Sequence, residues 1–249
     1  MLRLLDETMR VAYGDLCFMR RNAASVLVSS MVAPILYLVA FGYGMRSGSS
    51  EGGVDYIAFV VPGIIAISSM TAGFSSTSQK ILIQRLFHSS FDELILCPVG
   101  ISSIVFGKSV VGMVRGLLGS AIMLSLGLML TDDIHLTPWL ILCIMLSCFA
   151  FSMMGVMAGL LANNSQTLAM ISNLVLLPMT FMCGTLFSTD SFPGPVSAAI
   201  GALPLTHSSE VLRSVALGWD FPWASLGVVA AYCAAFFLAD YRLIKKGRY

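Results

Sequence analysis

Charged side chains are scarce in this sequence. Asp, Glu, Lys and Arg make up 11% of its 249 residues, about half the share usual in a water-soluble domain. With 57% hydrophobic residues, a chain folded in water exposes large apolar patches. An ordinary soluble domain is therefore excluded, and lipid is the simplest solvent. An excess of one sign is also lacking. The formal net charge is +1, which argues against nucleic acid as a partner and against a charged tail.

Metal and redox signatures are missing too. Cys17, Cys97, Cys143, Cys148, Cys183 and Cys233 show no C-x-x-C spacing, and most fall in apolar runs, where a cysteine acts as a small hydrophobe. His88, His135 and His207 lie far apart, without zinc-type spacing. His207 and Glu210 share a helix face, but no third ligand accompanies them. Gly107-Lys108-Ser109 resembles the tail of a phosphate loop, yet its first glycine would fall at Ser102 and no strand precedes it. No nucleotide site, cofactor or catalytic residue is expected. A signal peptide is not expected either, because Asp6, Glu7 and Asp15 interrupt the N-terminus before an apolar core develops. Nothing alternates in the manner of a barrel strand.

What the sequence has in quantity is long apolar runs. A membrane-crossing helix needs about 20 mostly apolar residues to cover roughly 30 Å of hydrocarbon. Six segments qualify: 22–45, 56–78, 109–131, 138–162, 168–187 and 221–241. Lipid offers no partners for backbone N–H and C=O groups, so each is expected to be helical. The fold class is thus all-α integral membrane, a single domain over 1–249.

The basic residues orient it. With the N-terminus in the cytosol, the inner segments hold Arg3, Arg10, Arg20, Arg21, Lys80, Arg85, Lys108, Arg242, Lys245, Lys246 and Arg248. Arg115 snorkels to the same side. The outer segments hold only Arg46 and Arg213. That asymmetry predicts both termini in the cytosol. The middle of every span is free of Asp, Glu, Lys, Arg and His, which weighs against ion coupling from within the chain.

Three segments outside the spans are informative. Over 1–21, Leu2, Leu5, Met9, Ala12, Tyr13 and Leu16 recur at three- and four-residue steps opposite Arg3, Asp6, Glu7 and Arg10. This predicts an amphipathic helix in the cytosolic interface, or one packed on protein. The cytosolic loop 79–108 contains Leu86, Phe87, Phe91, Leu94 and Ile95 at helical spacings. Ser90 and Glu93 form a capping box, and Pro98 ends the short helix. Its apolar knobs have two burial places, a partner protein or the chain's own helix ends. The outer segment 188–220 is broken by Phe192-Pro193-Gly194-Pro195 and by Pro204. Thr206 is expected to cap a helix reaching about Leu217, and Glu210 to pair with Arg213 at i, i+3. A re-entrant or interfacial hairpin fits, acting as a lid or as an anchor.

Small residues mark close helix approaches, within the chain or to a second copy: Gly112, Gly116 and Ser120, and Gly155 with Gly159. The second span is rich in hydroxyls (Ser68, Ser69, Thr71, Ser75, Ser76, Thr77, Ser78). They line a polar path or bond their own helix carbonyls.

At these residues the chain resembles the ABC-2 type permeases, the membrane subunits of ATP-binding-cassette exporters. The matching blocks are Phe91-Asp-Glu-Leu-Ile-Leu-Cys-Pro-Val99 with Gly107-Lys108, then Gly184-Thr-Leu-Phe-Ser-Thr-Asp-Ser-Phe-Pro193, then Leu203-Pro-Leu-Thr-His207 with Glu210, Leu212 and Arg213. The likeness is to the branch of nodulation lipo-oligosaccharide and daunorubicin-type drug exporters. It implies a bacterial inner-membrane location, pairing of two permease chains, and separate ATPase subunits docked on the cytosolic loops. It assigns ATPase contact to Phe87, Phe91, Asp92, Glu93, Leu94 and Pro98. The outer hairpin is marked by Pro193, Pro204, Thr206, Glu210 and Arg213. The cargo implied is a drug or an amphiphilic, glycan or lipid-linked molecule. A passive channel or ion-coupled carrier, and a membrane scaffold, are the alternative functions.

Overall fold

The computed structural model describes residues 2–23, 25, 26, 28, 32, 35, 36, 56–87, 90–131, 134–182 and 200–247. The span expected over 22–45 falls largely outside these residues. So do Cys183, Pro193 and the rest of 183–199, as well as His88 and Ser89 of the capping segment.

Eight helices and no strands occur among the described residues: α1 Leu2–Arg21, α2 Tyr56–Leu86, α3 Ser90–Leu96, α4 Ile101–Leu130, α5 Pro138–Leu161, α6 Ser165–Met182, α7 Pro204–Leu217 and α8 Trp223–Lys245. Four of them, α2, α4, α5 and α8, are long and apolar enough to cross a membrane, and α6 is a shorter apolar helix. The chain is an all-helical integral membrane protein.

α2 lies at the centre, against α4, α5 and α7, and is largely buried. Its Ile64, Ile65, Ile67, Met70 and Phe74 are fully buried with Met123 of α4, Cys148 and Phe151 of α5 and Leu205 and Leu212 of α7. By contrast α5 and α6 leave Trp139, Ile141, Met170, Leu174, Leu177 and Phe181 exposed. A surface of this kind is stable only against lipid or another chain.

The α2–α4–α5 seam depends on missing side chains. A Cβ on Gly155 would stand 2.6 Å from the Phe74 carbonyl oxygen, and one on Gly159 would stand 2.8 Å from that of Ser78. A Cβ on Gly112 would collide with Thr77 and Ser152, and one on Gly116 would stand 3.0 Å from the Cys148 sulfur. Ser120 is buried beside the same thiol. Close backbone approach lets hydroxyls bridge helices. Thr77 and Ser152 lie 2.8 Å apart, and Ser152 donates to the Ser109 carbonyl at 2.7 Å.

The helix limits depart furthest from the hydropathy reading around α3, while α6 begins at Ser165 rather than 168 and α8 runs over Trp223–Lys245 rather than 221–241. α2 continues past 78 to Leu86, and α4 begins at Ile101 rather than 109. The expected loop 79–108 thus shrinks to α3 and its two short links. Hydropathy ended the spans near the first lysines. Those lysines are paired, as described below, and Ile81, Leu82, Ile104 and Val105 between them are buried. No glycine or proline lies between Ser78 and Leu86 to stop α2, and Gly107, buried against Val11 of α1, does not interrupt α4.

Candidate functional site

The bundle has two ends of different character. At the α3 end, the C-termini of α2, α5 and α8 meet the N-terminus of α4. Phe91 is 1% exposed and packs among Ile81, Ile104, Val105, Val156, Leu160 and Ile244, with Leu94 and Ile95 partly buried against the same cluster. Of the two burial places open to these apolar residues, Phe91 and, in part, Leu94 take the chain's own helix ends and anchor α3. On a seven-residue helix the burial of one face exposes the other. Phe87, Asp92, Glu93, Leu96, Cys97 and Pro98 are exposed, Leu96 at 86%. Asp92 and Glu93 occupy the first turn, where the helix dipole favours acidic groups. Leu96 was not singled out from sequence, because periodicity alone does not tell which side of so short a helix faces out.

Ionic groups stitch this end. Asp15 of α1 is 7% exposed, as is Lys108 of α4. The Asp15 carboxylate lies 2.8 Å from Lys108 Nζ and 3.4 Å from Lys80 Nζ, and accepts from Gln84 Nε2 at 3.1 Å. Removing one partner of such a buried pair costs about 3–5 kcal/mol, since the other charge stays buried. Two turns earlier on α1, Glu7 accepts from Gly100 N–H at 3.1 Å and Ser103 Oγ at 2.9 Å, satisfying orphan donors at the start of α4. Arg85 Nη1 donates to the carbonyls of Gly159, Leu160 and Ala162 at 2.7, 2.7 and 3.2 Å. That is a cationic cap on the C-terminus of α5. Asp240 of α8 is fully buried, and neither carboxylate oxygen has a hydrogen-bond partner among the described residues.

α1 turns its small and polar side inward. Thr8, Ala12 and Asp15 are buried, while Leu5, Met9, Tyr13 and Phe18 are exposed. The sequence reading placed Glu7 on the solvent side; the structure places it on α4.

At the α7 end, Pro204 opens α7 in its first turn, the cap position is Leu203, and Gly218 closes the helix at φ 69°. This corrects the expected Thr206 cap. Proline pre-sets the first helical residue and needs no N–H partner, so the cap moves from Thr206 to Leu203 and the helix starts three residues earlier. Thr206 Oγ1 instead donates to the Ile200 carbonyl at 2.7 Å. Glu210 and Arg213 turn to different neighbours. Arg213 donates from Nε to the Phe59 carbonyl at 3.3 Å, and its guanidinium lies 3.7 Å from the Phe59 ring centroid. Glu210 accepts from Ser225 Oγ at 2.7 Å. His207 donates from Nε2 to the Gly201 carbonyl at 2.8 Å, and its Nδ1 lies 3.2 Å from Ser225 Oγ. Tyr232 donates to the Ala202 carbonyl. The Ser225 bonds tie α7 to the start of α8, Arg213 ties it to α2, and the others hold residues 200–202 against α7 and α8. All 3 tryptophans lie at this end, Trp139 and Trp223 flanking Phe221 in an aromatic cluster and Trp219 exposed beside α7.

Between the ends, a groove of about 460 Å³ separates α2 from α6. Ser75, Gln79, Ser165, Ser172 and Asn173 line it together with leucines. Most other hydroxyls of α2 look away from it: Ser69, Thr71, Ser76 and Ser78 donate to carbonyls of their own helix. Among the described residues no three His, Cys, Asp or Glu side chains are placed to hold a metal ion.

The geometry described here accompanies clear relationships in sequence. The model of the ABC-2 type transporter family matches residues 11–217. The chain is 27% identical over 228 residues to the inner membrane transport permease YadH of Escherichia coli K12, covering 89% of this chain and 88% of that one. It is 27% identical over 235 residues to Nodulation protein J of Bradyrhizobium diazoefficiens, covering 91% and 88%. To Nodulation protein J of Rhizobium meliloti it is 28% identical over 230 residues, covering 88% and 86%. The chain belongs to the ABC-2 type transporter family and is the membrane subunit of an ABC transporter, a multi-pass membrane protein.

Proposed function

We propose that this chain is the permease of an exporter driven by separate ATPase subunits that dock on α3. The observation that carries the reading is the division of α3 into a buried anchor, Phe91, and an exposed face of Asp92, Glu93 and Leu96, flanked by exposed Phe87 and Pro98. A helix fixed on one side and apolar and acidic on the other transmits force between a partner and the bundle. The docking groove on the ATPase is apolar with basic groups at its rim.

The rest of the reading follows the two ends. Six spans cross the membrane, the segment 22–45 supplying the first. The basic α3 end faces the cytosol and the tryptophan-bearing α7 end faces outward, in keeping with the distribution of Lys, Arg and Trp in membrane proteins. α1 lies in the inner interface with Leu5, Met9 and Tyr13 toward lipid, and 188–220 forms the outer hairpin. A second permease copy packs against α6, whose exposed stripe of Met170, Leu174, Leu177 and Phe181 adjoins the groove. The cargo is an uncharged or weakly charged amphiphile, matched by leucines alternating with Ser, Gln and Asn along that groove.

Two measurements test this. Exposed Cys17 and Cys97 both belong to the α3 end. A membrane-impermeant maleimide is expected to label them in inside-out vesicles only; labelling in intact spheroplasts would reverse the orientation. Co-purification with ATPase subunits encoded beside the gene is expected for the native chain and lost in Leu96→Asp. Undiminished association of that variant would remove α3 as the docking element.

A further inference from the structure

Resting on the proposed docking of an ATPase at α3, we infer that Asp15 is a positioning residue for energy coupling, holding the ends of α2 and α4 in one block with α1. α3 lies in the chain between Leu86 of α2 and Ile101 of α4, so a displacement of α3 reaches those two ends along the chain as well as α5 and α8 through Phe91. Asp15 bonds both. One carboxylate oxygen takes Lys108 of α4, and the other takes Lys80 and Gln84 of α2. The same face of α1 carries Glu7, which caps α4 at Gly100 and Ser103 directly after the link from α3. Between these contacts Val11 lies where a side chain on Gly107 would be, 2.7 Å from its Cβ position. Three contacts at i, i+4 and i+8 therefore fix the register of α1 against α4.

The choice of ions is informative. A well-packed apolar pair holds two helices together as well as a buried ion pair does, or better. What a shared carboxylate adds is a defined geometry among three elements: it is satisfied only when Lys108, Lys80 and Gln84 stand around it together. Loss of the charge frees the end of α2 to move without α4. α3 then pushes on two independent helix ends instead of on one block, and part of its stroke is lost.

The test uses the full chain reconstituted with its ATPase subunits in vesicles. The readouts are ATP hydrolysis stimulated by the permease, its KM for ATP, and the melting temperature of the permease. Asp15→Asn is expected to assemble with the ATPase and to keep KM for ATP, while stimulated turnover falls about fivefold or more, the lower end of coupling between distant sites. Asp15→Glu, which keeps the charge, is expected to recover most of the turnover. Should Asp15→Asn fail to fold because Lys108 is left buried and unpaired, Asp15→Asn with Lys108→Met removes that charge and is expected to show the same loss of turnover. Native stimulation in either variant once folded and assembled would overturn the inference, as would failure of both to fold, which makes Asp15 a residue of the fold only. A native chain that stimulates no ATPase would overturn the proposed docking and this inference together.

Discussion

At the α3 end three helix termini are joined by charged groups: Asp15 between Lys80 and Lys108, Glu7 at the start of α4, and Arg85 over the last carbonyls of α5. At the α7 end Arg213 and Glu210 still bond, but most links are between neutral groups and carbonyls, ringed by tryptophan: Thr206 to Ile200, His207 to Gly201, Tyr232 to Ala202. Charge-assisted bonds are roughly twice as strong as neutral ones and more demanding in geometry. An end that receives a push gains from joints that hold one arrangement. An end that opens and closes gains from bonds each weak enough to exchange with water. The contrast assigns stiffness to the α3 end and compliance to the α7 end.

Substitutions can break or sharpen this contrast. The largest effect is expected from Phe91→Ala, which empties the centre of the α3-end cluster and is expected to cost about 3–5 kcal/mol, read as a fall in the melting temperature of the purified chain. Asp240→Leu is expected to act in the opposite direction at the same end. It replaces a buried carboxyl that has no hydrogen-bond partner among the described residues with an apolar group, and is expected to raise stability by about 1–3 kcal/mol. A fall on this substitution would show that Asp240 holds a partner in the working protein. At the α7 end His207→Ala is expected to cost only about 1 kcal/mol, because its hydrogen bonds are traded against water. Amide hydrogen exchange is expected to rise over Pro204–Leu217 while α3 is unaffected. The smallest change in stability, within about 0.5 kcal/mol, is expected from Leu96→Ala on the exposed face. The same variant is expected to weaken ATPase association, so the melting curve and the binding curve separate.

Much of this was legible in the sequence. Apolar length marked membrane helices, and the pairing of Gly112 with Gly116 and of Gly155 with Gly159 marked positions where backbones approach, because both signals depend on residue type alone. The family resemblance was legible in short blocks such as 91–99. Partner identity was not. A lysine in a hydropathy window counts as a boundary, whereas Lys108 is a buried member of an ion pair 93 residues away from Asp15 in sequence. Phe91 and Leu96 are both apolar residues of one short helix, and only the surrounding cluster of Ile104, Val156 and Leu160 decides which is anchor and which is surface. Thr206 carried the usual sign of a helix cap, and Pro204 overrode it.

With the ATPase docked as proposed, force enters through the exposed face of α3. Site-specific photo-crosslinking tests it most directly, with a benzophenone side chain at Leu96 in one sample and at Trp219 in another, in membranes that also contain the ATPase subunits. The prediction is an adduct with the ATPase from position 96 whose yield changes on ATP addition, and none from position 219. An adduct from 219, or no adduct from 96 while the complex stays assembled, would contradict it.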